Sequence, residues 1–162
     1  AMLTSNDILM LDRVPESMII VGGGVIGCEF ASLFAPLGTE LTVVEILPRL
    51  LAGIDNRTAG QFQRLLEKEG VTVHLGRQVA EVSEYRDDGV TVRLDDGTEL
   101  SAGKLLVSVG RRSQAKGIGL EEIGVEVTER GHVVVDEYLR SANPRVWAAG
   151  DCIGGLQLAH LA

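Results

Sequence analysis

Three glycines and one glutamate are spaced as in a site that holds a dinucleotide. Gly22, Gly24 and Gly27 form a G-x-G-x-x-G pattern directly after an apolar run. Such a turn lets backbone N–H groups approach a pyrophosphate, and the helix that follows adds the positive end of its dipole. Glu45 lies eighteen residues after Gly27, close to the spacing of about 20 expected for an acid that binds a ribose. The pattern predicts a nucleotide site, with a purely structural turn as the alternative.

The elements around these residues are those that such a site requires. Residues 18–21 are predicted to form a buried strand, and residues 25 to about 37 a helix that ends at Gly38. Residues 40–45 form a second strand, which places Glu45 at its end. Strand, turn, helix, strand and acid follow one another in the order of a βαβ unit.

The next sixty residues extend this unit into a layered α/β domain. Asp55 is placed to cap a helix from 56 to 69, and a strand is predicted over 71–75. From 79 to 100 the hydrophobic period stays near two and is broken by turns at 87–89 and 95–97, which indicates an antiparallel meander. An apolar strand over 104–109 completes the sheet. We therefore predict a Rossmann-like, three-layer domain with a parallel sheet and an antiparallel β-meander.

The chain divides by character into three segments. Residues 1–17 are interpreted as a lead-in connector and residues 18–112 as the nucleotide-binding domain. Residues 113–162 are rich in Gly and Glu, with short strands predicted at 133–135 and 146–149. This last segment has too few regularly spaced apolar positions for a second independent core.

Composition excludes several classes of function. The net charge of -8 over 162 residues argues against a nucleic-acid partner, because no basic face is available to meet phosphates. No apolar run approaches the length of a membrane span and no signal peptide is recognised, so we expect a cytoplasmic protein. The two cysteines, Cys28 and Cys152, have no metal-ligand spacing, and no metal site is predicted. Cys28 is interpreted as a buried packing residue, with a reactive thiol as the alternative.

Six segments in this order resemble one family, the flavin-dependent pyridine nucleotide-disulfide oxidoreductases. They are residues 20–29, 42–45, 107–112, 120–124, 135–137 and 144–160. The pattern is most similar to dihydrolipoamide dehydrogenases, and mercuric reductases and soluble transhydrogenases share much of it. The resemblance implies that residues 113–162 are part of an FAD-binding domain.

The resemblance also implies which positions contact the cofactors. On the NAD side they are Gly22, Gly23, Gly24, Val25, Ile26, Gly27, Cys28, Glu29, Glu45, Val79 and Gly110. On the flavin side they are Asp151, Gln157, Leu158, Ala159 and His160. Gln157 departs from the methionine that is usual in lipoamide dehydrogenases.

Glu45 also bears on the choice between NAD and NADP. A carboxylate accepts hydrogen bonds from both ribose hydroxyls but repels a 2′-phosphate. Arg49 lies four residues further on, and we interpret it as structural because Pro48 and an apolar loop surround it. NAD is therefore the expected pyridine nucleotide.

The resemblance extends to a whole enzyme of which this chain supplies one part. Members of the family carry a first glycine fingerprint for FAD, a redox-active cysteine pair and a late His-Glu pair, and none of these occurs in this sequence. We expect a fragment that binds NAD(H) without turnover and has no catalytic residues of its own. The parent enzyme is expected to oxidise dihydrolipoyl groups with NAD through FAD, as a homodimer and in association with 2-oxoacid dehydrogenase components. A non-catalytic NADH-sensing module is the alternative from another class.

Overall fold

The computed structural model describes residues 2–86, 88–155 and 157. The chain divides into two compact units, Ala1–Gly110 and Arg111–Ala162. The described residues of the first unit form eight strands and two α-helices: β1 (Met2–Leu3), β2 (Ser17–Val21), α1 (Val25–Phe34), β3 (Glu40–Glu45), α2 (Asn56–Lys68), β4 (Thr72–Leu75), β5 (Val79–Tyr85), β6 (Val90–Leu94), β7 (Glu99–Ala102) and β8 (Lys104–Val107). Short 3-10 helices occur at Asp7–Met10, Glu121–Ile123 and Gly150–Ile153.

Five of the strands form a parallel sheet in the order β1-β8-β2-β3-β4. Helix α1 connects β2 to β3 and helix α2 connects β3 to β4, so the expected βαβ arrangement is confirmed. In the register of the sheet, Val21 at the end of β2 pairs with both Val44 of β3 and Val107 of β8. The residues that follow these three strands therefore emerge at one edge of the sheet, where open parallel sheets bind their ligands.

Alternate residues of the central strands pack on opposite faces of this sheet, as the period of two requires. Met18, Ile20 and Val43 face one core, which also contains Ala31 of α1 and Leu66 of α2. The other face carries Ile19, Val44 and Leu105, which pack against Val90, Val92 and Leu94 of the meander β5-β6-β7. Helices, parallel sheet and meander thus form the three predicted layers.

Helix α1 ends three residues earlier than predicted, at Phe34. Pro36 has no N–H to continue the ladder of hydrogen bonds. The chain continues instead with tighter bonds from Leu37 N–H to the Phe34 carbonyl and from Gly38 N–H to the Ala35 carbonyl. Gly38 then adopts a positive φ of 89° that leads into β3.

Part of the predicted connector forms regular structure within the first unit. Met2 and Leu3 pair in parallel with Leu105 and Leu106 of β8, and Ile8 is buried in the helix-side core. Thr4 N–H donates to the Asp7 carboxylate at the start of a short 3-10 helix over Asp7–Met10. Among the described ranges, no helix is long and apolar enough to cross a membrane.

The second unit has a small apolar cluster of its own, formed by Ala115, Val125 and Val133. The predictions of strands at 133–135 and 146–149 were wrong. Val133 and Trp147 each form a single antiparallel bridge, with Val127 and Arg140 respectively. A run of valines indicates a buried segment, but a strand also needs an adjacent strand to pair with along its whole length. The assignment of the two units to NAD and FAD domains remains a prediction.

Candidate functional site

The glycine turn lies at the carboxyl edge of the parallel sheet, between β2 and α1. Gly22 has a φ of 106°, and a side chain there would lie 2.5 Å from the Ser108 carbonyl oxygen. A Cβ at Gly27 would fall on the Gly22 carbonyl oxygen, so this glycine lets the turn lie against the helix. Both glycines are therefore required by the fold itself.

Gly24 differs from the other two glycines because the space beside it is open. Among the described residues outside its own stretch of chain, no atom lies within 4 Å of the position that a Cβ would occupy, and its φ of -76° suits any residue. Gly24 is also the N-cap of α1, and no side chain caps this helix among the described residues. The open space in front of the first turn suits an anionic group that accepts hydrogen bonds from the backbone.

Glu45 occupies the end of β3 beside the turn and is only 8% exposed. Its Oε2 accepts a hydrogen bond from Gly23 N–H at 2.6 Å, and its Oε1 accepts one from Leu47 N–H at 2.7 Å. A carboxylate has about four acceptor positions, so two bonds leave capacity for a hydroxyl-bearing ligand. The sequence identified the acid but not its role in holding the turn.

The loop after β3 is fastened to the same turn. Leu51, with a φ of 49°, donates its N–H to the Gly23 carbonyl at 2.8 Å. The Arg49 guanidinium donates to the carbonyls of Ala52 and Ile54 within the loop. These bonds engage Arg49 in the loop itself, in keeping with the structural role expected for it.

Cys28 lies under the turn and is 2% exposed. Its thiol donates to the Gly23 carbonyl at 3.3 Å. Burial, together with the negative charges of Glu45 and Glu29, raises the pKa of the Cys28 thiol to about 12. The neutral thiol is thus the stable form, which agrees with a packing residue and not with a nucleophile.

We expect Cys28 to resist alkylation at pH 8 in the folded protein. With a pKa of about 12, about one thiol in ten thousand is ionised at that pH, and only the thiolate reacts. Cys152 is half-buried and serves as the internal comparison. Mass spectrometry of peptides after brief iodoacetamide treatment should find the label on Cys152 first. Equal labelling of both cysteines would contradict this assignment, and urea should abolish the difference.

The remaining positions on the nucleotide side are distributed around this turn and along the sheet. Val25 and Glu29 are exposed on α1, and Ile26 is half-buried. Val79 begins β5 and packs against the core between the sheets. Gly110 lies three residues beyond β8 with a φ of 131°. Their contacts with a ligand remain predictions.

The flavin-side positions lie in the second unit. Asp151 is in the last 3-10 helix, where its Oδ2 lies 3.6 Å from an Arg111 nitrogen. Asp151 and Gln157 line a cavity of about 600 Å³ whose other walls are largely apolar, including Ile118, Leu120 and Trp147. Leu158, Ala159 and His160 lie outside the described residues.

Ser108 is a site residue that the sequence did not indicate. It follows β8, and its hydroxyl oxygen lies 3.1 Å from the carbonyl oxygens of both Val21 and Gly22. The sequence signal for this role is a serine directly after β8. It can be recognised only when β8 is known to lie beside β2. No group of three or more potential metal ligands occurs in the part of the chain that the structure describes.

Comparison with known proteins finds relatives of one family. A family model described as pyridine nucleotide-disulphide oxidoreductase matches residues 1–162. Dihydrolipoyl dehydrogenase from Bacillus subtilis is 39% identical over 160 residues, which cover 99% of this chain and 35% of that protein. Mercuric reductase from Streptomyces lividans is 42% identical over 153 residues, covering 92% of this chain and 32% of that protein.

Solved structures give the same result. The HOCl-induced flavoprotein disulfide reductase RclA from Escherichia coli superposes with a TM-score of 0.89 at 33% identity, over 99% of this chain and 36% of that one. LpdA from Mycobacterium tuberculosis superposes with a TM-score of 0.89 at 31% identity, over 99% of this chain and 35% of that one. The chain spans about one third of the length of the relatives it matches. By the match over its whole length, the chain belongs to the pyridine nucleotide-disulphide oxidoreductase family of flavin- and nicotinamide-dependent enzymes.

Proposed function

We propose that this chain is the NAD(H)-binding part of a flavoprotein disulfide oxidoreductase. The observation that carries the proposal is the open backbone at Gly24, which lies on the same sheet edge as the Glu45 carboxylate. An extended dinucleotide needs both features, because its pyrophosphate requires close N–H donors and its adenosine ribose requires an acceptor. The structural demands on Gly22 and Gly27 do not explain why residue 24 should also lack a side chain.

NAD is the pyridine nucleotide that this site favours. The Glu45 carboxylate is negatively charged and lies where the 2′-phosphate of NADP would have to bind. The two negative charges would repel each other. Arg49 is engaged by loop carbonyls and is not directed to a phosphate. The chain's own residues thus bind the dinucleotide by its pyrophosphate and ribose, and the resemblance assigns Glu29 to the nicotinamide end.

We further propose that the parent enzyme couples oxidation of dihydrolipoyl groups to reduction of NAD. Dihydrolipoyl dehydrogenases among the relatives support this reaction, and the mercuric reductase of similar identity supports the alternative of a different acceptor. FAD, when bound in the parent, would carry electrons between NAD and a disulfide. The two cysteines of this chain are Cys28 and Cys152, and both are free thiols. The redox disulfide therefore comes from elsewhere in the parent, and this chain alone should not turn over.

The first test is a parallel titration of the 162-residue chain with NADH and NADPH, followed by nicotinamide fluorescence. We expect saturable NADH binding and weaker NADPH binding. Gly24→Ala should weaken NADH binding about tenfold or more, because its methyl group occupies the space that the pyrophosphate needs. Circular dichroism should show this variant folded, since the new Cβ points into space that the described part of the chain leaves open.

Two results would overturn the proposed function. Absence of NADH binding by the wild-type chain would remove the nucleotide site, and undiminished binding by folded Gly24→Ala would place the ligand elsewhere. Reduction of lipoamide by NADH with this chain and added FAD would contradict the expected lack of turnover.

A further inference from the structure

Ser108 holds the glycine turn from the side opposite Glu45. Its hydroxyl lies 3.1 Å from the carbonyl oxygens of Val21 and Gly22. A hydroxyl has one hydrogen to donate, and the Val21 carbonyl already accepts the Ser108 backbone N–H at 2.8 Å. The Ser108 hydroxyl therefore donates its hydrogen to the Gly22 carbonyl.

The Gly22 carbonyl belongs to the same peptide unit as the Gly23 N–H. This N–H donates to Oε2 of Glu45 at 2.6 Å. Because a peptide unit is planar and rigid, fixing its carbonyl also fixes the direction of its N–H. Ser108 and Glu45 are therefore connected through one rigid group whose dipole is engaged at both ends.

The peptide units on either side have hydrogen bonds of their own, from Gly22 N–H to the Val44 carbonyl and from Leu51 N–H to the Gly23 carbonyl, and Ser108 and Glu45 hold the unit between them. It joins two glycines, whose backbone dihedrals are the least restricted of any residue. The missing side chain of Gly27 leaves room for the Gly22 carbonyl but provides no donor to it. A hydroxyl at position 108 supplies the directional contact that the glycines cannot supply themselves.

We propose that Ser108 is a positioning residue for the pyridine nucleotide, and that it sets the preference for NADH over NADPH by holding Glu45 through the Gly22–Gly23 peptide. The inference rests on the proposed function, because it concerns the same site. Ser108 does not contact the ribose in this scheme. It keeps the Glu45 carboxylate in one orientation, in which it accepts from ribose hydroxyls and opposes a 2′-phosphate.

A merely structural role for Ser108 would have a different signature. Loss of a hydrogen bond that only stabilises the turn would weaken the binding of NADH and NADPH by the same factor. Loss of a bond that orients Glu45 weakens NADH binding while relaxing the repulsion of NADPH. The ratio of the two dissociation constants therefore distinguishes the two roles.

The test compares Ser108→Ala with Ser17→Ala in the 162-residue chain. Ser17 is a matched control, because its hydroxyl also makes one partly buried bond to backbone, accepting Gly103 N–H at 2.9 Å at the opposite end of β2. Ser108→Ala should lower the NADH preference about fivefold, the factor that one net hydrogen bond controls. Ser17→Ala should leave the preference unchanged, and Ser108→Thr, which keeps the hydroxyl, should restore it.

A second background tests whether the effect passes through Glu45. In Glu45→Gln, further replacement of Ser108 by Ala should change the preference less than about twofold, since residues that act as a unit are not additive. Additive effects would overturn the inference. If Ser108→Ala does not fold, Ser108→Cys replaces it, because the thiol retains a weaker donor. This variant should lose part of the preference for NADH. An unchanged preference would contradict the proposal.

Nucleotide binding by the wild-type chain distinguishes failure of this inference from failure of the proposed function. If the wild-type chain binds neither nucleotide, both the proposed function and this inference are wrong. If the chain binds NADH but Ser108→Ala weakens both nucleotides equally, only the inference is wrong.

Discussion

Gly27→Ala is expected to lower the free energy of unfolding by about 3 kcal/mol or more, because the new methyl group has no space. Its Cβ would fall on the Gly22 carbonyl oxygen and lie 2.8 Å from the Ser108 hydroxyl oxygen and 3.1 Å from an Ile20 methyl group. The closest of these atoms is backbone, which cannot rotate away as a side chain can. Overpacking typically costs about 1–3 kcal/mol, and a backbone obstacle places this variant at or above the top of that range.

Gly24→Ala is the matched control for this prediction. It adds the same methyl group three residues earlier, where no atom lies within 4 Å. Alanine is a poorer N-cap than glycine, but it also restricts the unfolded chain, so the two effects should cancel to within about 1 kcal/mol. Urea denaturation followed by circular dichroism measures both variants. Equal stability of the two would show that α1 shifts to accommodate the side chain.

The contrast between these two glycines illustrates what the sequence could establish. The G-x-G-x-x-G spacing predicted a turn that leaves the backbone open to a ligand, and the structure has a tight turn at Gly22 and open space at Gly24. Such local features are readable because strand, turn and helix are consecutive in the chain. The period of two over residues 79–100 likewise predicted the antiparallel meander, which the structure has as β5-β6-β7.

Contacts between residues far apart in the chain could not be predicted from the sequence in this way. Ser108 is 86 residues from Gly22, and nothing local to position 108 indicates that β8 lies beside β2. The contact between Glu45 and Gly23 spans 22 residues, and it depends on the register of β2 with β3. The short strand β1 was not predicted for the same reason. Its two residues form a strand only because they pair with β8.

Glu45→Gln is expected to reduce the preference for NADH over NADPH by about 10- to 100-fold. The wild-type carboxylate can make charge-assisted hydrogen bonds to ribose hydroxyls, each of which contributes about 1.5–3 kcal/mol. The amide is neutral, so NADH binds more weakly while the repulsion of a 2′-phosphate disappears. Parallel fluorescence titrations with the two nucleotides at about 0.1 M ionic strength measure the effect of the nearby carboxylate, because the Debye length there is about 10 Å.

The glutamine variant is preferable to alanine because Glu45 also holds the backbone. Its two oxygens accept the N–H groups of Gly23 and Leu47, and alanine would leave both without an acceptor. Glutamine keeps one acceptor and the size of the side chain, so the loss of stability should stay near the cost of one mismatched group, about 1–3 kcal/mol. A thermal denaturation curve with and without NADH separates this loss from the loss of binding.

Glu40→Gln is the control that separates position from net charge. Glu40 is exposed at the start of β3, about 17 Å from Glu45 at the rise of an extended strand. Both variants remove one negative charge from the same strand, so any general effect of charge on an anionic ligand is common to both. At that separation screening removes most of the influence of Glu40, and its variant should keep the wild-type preference. A similar shift in both variants would mean that the net charge of -8, and not the carboxylate beside the glycine turn, governs the choice of nucleotide.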